Sequence, residues 1–230
     1  MLGAFRINQL AKIISQPPIT FTFVTSSVIV NTTGTSTASY TVNAGDLVVI
    51  WVTATASTGA SAAPPTQVIP SGFTGAVNIA SPTQVAAQRT SVFYQIATTT
   101  GARTTSSYTG TTGSAHTVIA YRPSRAITSI TIGNGAHNIT TAVPTNASLV
   151  FETDMTSALA FGYGASSGTN ATLTSVLNST VAPTRYVANP AVSAYARVAC
   201  FEGAGFSGST TLSRADNGTN TLGYVNLIAS

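Results

Sequence analysis

Apolar and polar residues alternate at period two through most of the chain, in short runs broken by Gly, Asn, Pro and Ser/Thr clusters. This is the pattern of half-buried β-strands rather than of amphipathic helices. It predicts strands over Thr20–Val24, Ser27–Asn31, Ala38–Val42 and Asp46–Thr55, then over Arg89–Ala97, Thr104–Tyr108 and Ala115–Arg122. A second series follows at Ala126–Ile132, Ala147–Thr153, Ala158–Tyr163, Leu173–Leu177, Ser193–Glu202, Thr210–Arg214 and Leu222–Ile228. Turns are expected at Asn43-Ala44-Gly45, Ser71–Gly75 and Gly133-Asn134-Gly135, where glycine reaches positive φ at low cost. Residues Val77–Gln88 show no clean period and read as a loop with one short strand; Gly164–Pro190 reads as mostly polar loop.

One strand departs from alternation. Leu47–Val52 (LVVIWV) is continuously apolar, as expected of a central strand covered on both faces. The stretch Arg89–Pro123 organises the rest, with two β-rich runs flanking a Thr/Ser/Gly-rich excursion too long for a simple hairpin. Frequent turn signals, no composition break and no later helical period predict an all-β chain. The expected fold is a single antiparallel β-sandwich, jelly-roll-like, over 19–230.

Met1–Ser15 is the only passage with a helical period. Leu2, Leu10, Ile13 and Ile14 fall on one side and Asn8, Lys12 and Ser15 on another, although Arg6 interrupts the apolar side. Pro17-Pro18 ends any helix. Residues 1–18 are therefore expected to form a short N-terminal arm or helix, docked on its own sandwich or on a partner subunit. The candidate contact residues are Leu2, Phe5, Ile7, Leu10, Ile13 and Ile14. Arg6 and Lys12 enclose no apolar core of a signal peptide, and no run approaches the roughly 20 apolar residues of a spanning helix.

Composition narrows the function. Only 9 basic and 5 acidic residues are present, so the surface must be built from Thr, Ser, Asn and Gln. Such an exterior suits proteins displayed on, or packed against, identical neighbours; ordinary domains carry about a quarter charged residues. The arginines are scattered singly and Lys12 is the sole lysine, which speaks against nucleic-acid binding. Cys200 excludes an intrachain disulfide and reads as an inert strand thiol in YARVACF.

Candidate chemistry is thin. Glu152 and Asp154 lie two apart on a predicted strand and mimic a hydrolase acid/base pair, but a strand end meeting water has the same appearance. His116 and His137 lack a third ligand or triad partner. Gly203–Gly208 misses the nucleophile-elbow spacing, and Asp216–Asn220 lacks the distal carboxylate of a calcium loop. The six N-x-Ser/Thr sequons follow from the abundance of Asn, Ser and Thr. No catalytic residue, metal site or cofactor is expected.

Four strings carry a family resemblance: AGDLVVIWV (Ala44–Val52), PSGFT (Pro70–Thr74), RTSVFYQIATTTG (Arg89–Gly101) and AHTVIAYRP (Ala115–Pro123). Together they resemble a β-sandwich domain of bacteriophage virion proteins and bacterial surface proteins. The leader LGAFRINQLAK (Leu2–Lys12) looks like an N-terminal tag of marine-phage structural proteins that otherwise carry different sandwiches. The resemblance implies a non-enzymatic virion component, a head decoration (cement) or tail/fibre part. It would be anchored by its arm to copies of itself and to other capsid or tail proteins. The alternative is a carbohydrate-binding adhesin that recognises a host-surface glycan through tyrosines such as Tyr108, Tyr163 and Tyr186.

Overall fold

A computed structural model describes residues 19–31, 36–58, 68–81, 86–107, 113–140, 147–151, 158–166, 174–177, 184–188, 197–204, 208–213 and 220–230, with Pro17 and Thr66. The arm residues Leu2 to Ile14 lie outside them. The described chain is all-β and antiparallel, a sandwich as the alternation predicts.

The first series of strands comprises β1 (Phe21–Asn31), β2 (Ser36–Val42), β3 (Leu47–Thr58), β4 (Thr74–Ser81), β5 (Ala86–Ile96), β6 (Gly101–Ser107) and β7 (Gly113–Pro123). Five of them form sheet I in the order β1-β7-β3-β5-β4, while β2 and β6 pair as sheet II. The two runs flanking the Thr/Ser/Gly-rich excursion thus do not pair with each other. Both pair with β3, which separates them, and the excursion supplies β6 for the opposite sheet.

The continuous apolar run is explained by this position. Every residue from Leu47 to Val52 has no exposed surface. Val48, Ile50, Val52 and Ala54 join Tyr40, Val42, Phe93, Val118 and Ala120 in a core between sheets I and II. Leu47, Val49 and Trp51 face the other way and pack with Val92, Ile119, Tyr121 and Leu227, bordered by Phe21, Phe23, Ile127 and Ile130. Successive side chains of a strand point to opposite faces, so a strand buried on both must be apolar throughout.

The second series comprises β8 (Ile130–Thr140), β9 (Ala147–Phe151), β10 (Ala158–Ser166), β11 (Thr174–Leu177), β12 (Thr184–Ala188), β13 (Arg197–Ala204), β14 (Gly208–Ser213) and β15 (Asn220–Ala229). Sheet III has the order β12-β13-β10-β15-β8 and sheet IV the order β11-β14-β9. This is the first series over again. Setting aside β11, which adds to the edge of sheet IV, each large sheet runs first–last–third–fifth–fourth strand, and each small sheet pairs second with sixth.

The registers agree as well. Leu47 lies opposite both Tyr121 and Ile96, and Leu159 lies opposite both Leu227 and Ala204. Trp51 opposite Val92 corresponds to Tyr163 opposite Cys200. Even the bulges recur. In each copy the opening strand gains an extra residue after its third position, at Phe23/Thr25 against β7 and beyond Ile132 against β15. The fourth strand gains one opposite the step from Phe93 to Val92 and from Phe201 to Cys200. Bulges re-aim a strand at a defined place, so their repetition marks two builds of one design.

Three local readings change. The Gly133-Asn134-Gly135 turn is absorbed into β8, where the bulge takes up its extra residue and the strand runs on to Thr140. The short strand expected within Val77–Gln88 is the latter part of β4, which begins earlier, at Thr74. β12 arises inside the stretch read as polar loop, where the short run Thr184–Ala188 pairs with β13.

Candidate functional site

One end of the first copy gathers three turns around a single carboxylate. Asn43 to Asp46 form a tight turn closed by the Asp46 N–H donating to the Asn43 carbonyl at 3.1 Å. Gly45 takes φ +89°, the left-handed value that position requires. The Gly45 N–H donates to the Ala97 carbonyl at 2.7 Å, and the Ala97 N–H donates back to the Asp46 carbonyl at 2.8 Å. The Ala44 N–H reaches the Thr100 hydroxyl at 3.0 Å. The β2–β3 and β5–β6 turns are thereby stitched together before any side-chain charge enters.

Asp46 then turns its carboxylate inward, with 1% of its side chain exposed. Arg122, at the end of β7, donates Nε to Oδ1 at 3.0 Å and Nη2 to Oδ2 at 3.1 Å, a two-pronged pair. The Asn43 N–H adds a bond to Oδ2 at 2.8 Å. Burial alone would raise the Asp46 pKa. The Arg122 hydrogen bonds, the Asn43 N–H and the guanidinium charge outweigh it and hold the carboxyl below its ordinary value. The same pair raises the already high pKa of Arg122.

A cleft of about 290 Å³ opens beside this pair, lined by the 44–46 turn, Arg122, Pro123, Arg125 and Ala126. Its far wall belongs to the connection between the copies. Ser124 N–H donates to the Thr20 carbonyl at 2.8 Å, and the Ser124 hydroxyl accepts from Thr20 N–H at 3.0 Å. At the other end of the connection, Thr128 N–H and its hydroxyl both donate to the Ser230 carbonyl, at 2.6 and 2.7 Å. Arg125 therefore sits on a segment fixed at both ends. Its Nε is buried without a hydrogen-bond partner among the described residues.

The residues singled out in the sequence do not converge here. His116 is fully buried in β7, and His137 lies on β8 in the other large sheet, opposite Gly223. Cys200 on β13 lies opposite both Tyr163 and Tyr186, which are inside β10 and β12 rather than at loop tips. Tyr108, Glu152, Asp154 and Asp216–Thr219 fall outside the described residues. Among the described residues no cluster of His, Cys, Asp and Glu is arranged to hold a metal ion, and no helix is long and apolar enough to cross a membrane. The sequence reading missed the Asp46–Arg122 pair. Its only linear trace is a charge at each margin of two apolar strands, and nothing in one dimension says that those margins meet.

Comparison with known protein families, with curated proteins and with solved structures returned no match.

Proposed function

We propose that this chain is a non-enzymatic structural component of a bacteriophage particle, a surface-displayed β-sandwich anchored through its N-terminal arm. The observation that carries the reading is the character of the described surface. Exposed positions are mostly hydroxyl-bearing or amide residues, among them Thr20, Thr22, Ser39, Thr41, Thr98, Thr99, Thr100, Thr104, Thr128, Ser129, Asn43 and Asn78, interspersed with Val68, Ile69, Ile132 and Ile228 and with Arg122. Beneath them lies a core in which six successive residues of β3, Leu47 to Val52, are inaccessible from either side. A stiff body with a neutral, hydroxyl-bearing exterior can lie against identical neighbours without charge repulsion and without desolvating ions. The resemblance of the central strings and of the leader to phage structural proteins points the same way.

In this reading residues Leu2, Phe5, Ile7, Leu10, Ile13 and Ile14 bury against neighbouring subunits, each adding about 1.5–3 kcal/mol when fully covered. Many copies then hold by avidity. Deleting residues 2–16 is expected to leave a folded sandwich, judged by strand circular dichroism and Trp51 fluorescence, that no longer co-purifies with particles. Normal incorporation of that truncation would overturn the anchoring role. Copy number in purified particles separates the two placements: hundreds for a head decoration, a handful for a fibre or baseplate part.

A further inference from the structure

We propose that the cleft between the 44–46 turn and Arg125 is a binding site for a small organic carboxylate, such as a sugar acid, received by the Arg125 guanidinium. The repeat within the fold supplies the first reason. The second copy shows what its design requires at this place. Where the first copy sets Asp46 beside Arg122, just outside the Leu47–Tyr121 pair, the second sets Ala158 opposite Ile228, just outside Leu159–Leu227. The same strand ends, register and neighbouring bulge are thus built with two uncharged residues at these two positions. The charged arrangement of the first copy is an addition to the scaffold.

Arg125 supplies the second reason. Its Nε is buried without a partner among the described residues, on a segment tied down at Ser124 and at Thr128. Arg125 lines the cleft, so the remaining N–H groups of its guanidinium are the charged donors that an acceptor entering it would meet. Asp46 satisfies Arg122 through two hydrogen bonds, so the net charge of the cleft is that of Arg125 alone. One positive charge with a planar fork of donors suits a planar monoanion. A multiply charged phosphate would instead meet the Asp46 carboxylate without full compensation. The volume of about 290 Å³ takes a molecule the size of one sugar ring.

The test is a titration of the isotopically labelled full chain, followed by amide NMR at constant ionic strength. The probes are sodium glucuronate, sodium acetate, sodium sulfate and glucose. Glucuronate is expected to cause saturable shifts at Gly45, Asp46, Arg125 and Ala126, and glucose none. Tighter binding of glucuronate than acetate assigns a sugar acid; equal binding assigns the bare carboxylate. Arg125→Gln should weaken binding about 10–100-fold, the value of a charged hydrogen bond, with a melting temperature no lower than the parent's. The double variant Asp46→Ala/Arg122→Ile, which installs the residues of the second copy, should stay folded; loss of the fold would remove the first reason. The proposal is overturned if no carboxylate saturates, if sulfate binds and carboxylates do not, or if Arg125→Gln binds like the parent.

Discussion

Leu227 is the residue through which the stacking of the two copies can be measured. It belongs to β15 in sheet III, yet it is fully buried in the cluster formed by Leu47, Val49, Trp51, Val92, Ile119 and Tyr121 of sheet I. Truncation to Ala removes about three methylene equivalents, or about 2.4 kcal/mol of transfer free energy at ~0.8 kcal/mol each. The surrounding β-strands are held in registers on both sides and relax little, so a cavity term raises the expected loss to about 3–4 kcal/mol. For a domain of this size that is a fall in melting temperature of about 6–16 °C. Trp51, the only tryptophan, sits in the same cluster and reports its opening directly. The internal control is Ile228→Ala, one residue along and 40% exposed, which should cost about 1 kcal/mol or less. Urea titrations of both variants by tryptophan fluorescence would decide the matter. Equal midpoints for Leu227→Ala and Ile228→Ala would refute the stacking of sheet III on the outer face of sheet I.

The Asp46–Arg122 pair makes two further predictions, and Gly72 a third. Because folding lowers the Asp46 pKa, its contribution is present above the unfolded value of about 3.9 and is lost as pH falls through the lower folded value. Asp46→Asn should therefore be less stable than the parent at pH 7, with the gap narrowing in urea titrations as pH falls below the unfolded value of about 3.9; a gap independent of pH would contradict this. Arg122→Ile alone leaves a buried carboxylate without its cation, so it should lower the urea midpoint more than Asp46→Ala/Arg122→Ile does. Gly72 holds φ +80° in the turn before β4, and a Cβ there would come 2.5 Å from Gln95 Nε2. Gly72→Ala should cost about 1–2 kcal/mol from the left-handed backbone, read as a shift in thermal midpoint.

Much of the fold is written locally. The alternation in Ala38–Val42, Arg89–Ile96, Ala147–Phe151 and Leu222–Ile228 is a property of neighbouring residues, and each lies in a strand. The unbroken run Leu47–Val52 announces a strand covered on both faces because the chemistry of burial acts on every one of its side chains. Asn43-Ala44-Gly45 announces its turn because one position needs positive φ. Where local chemistry is weak the reading stops. β12 is only five residues long and is set among polar and proline-bearing neighbours, so pairing with β13 decides it, and Gly133–Gly135 has turn residues but is carried through as strand by the ladder to β15.

The repeat and the cleft are of another kind. The two copies share Leu at positions 47 and 159, Arg at 89 and 197 and Phe at 93 and 201, with few such coincidences between them. A β-sheet constrains the face and register of a residue far more than its identity, so the duplicated design survives in strand order and bulge position while the letters drift. Asp46 and Arg122 are 76 positions apart and become partners only because β3 and β7 lie side by side with those ends together. The amino-acid sequence alone determined an all-β sandwich, its central strand and the neutral hydroxyl exterior. Only the tertiary structure decided that the sandwich is laid down twice and that one of the two copies carries a charged cleft. Pairing partners are chosen by the whole sheet, and no short stretch of chain specifies them.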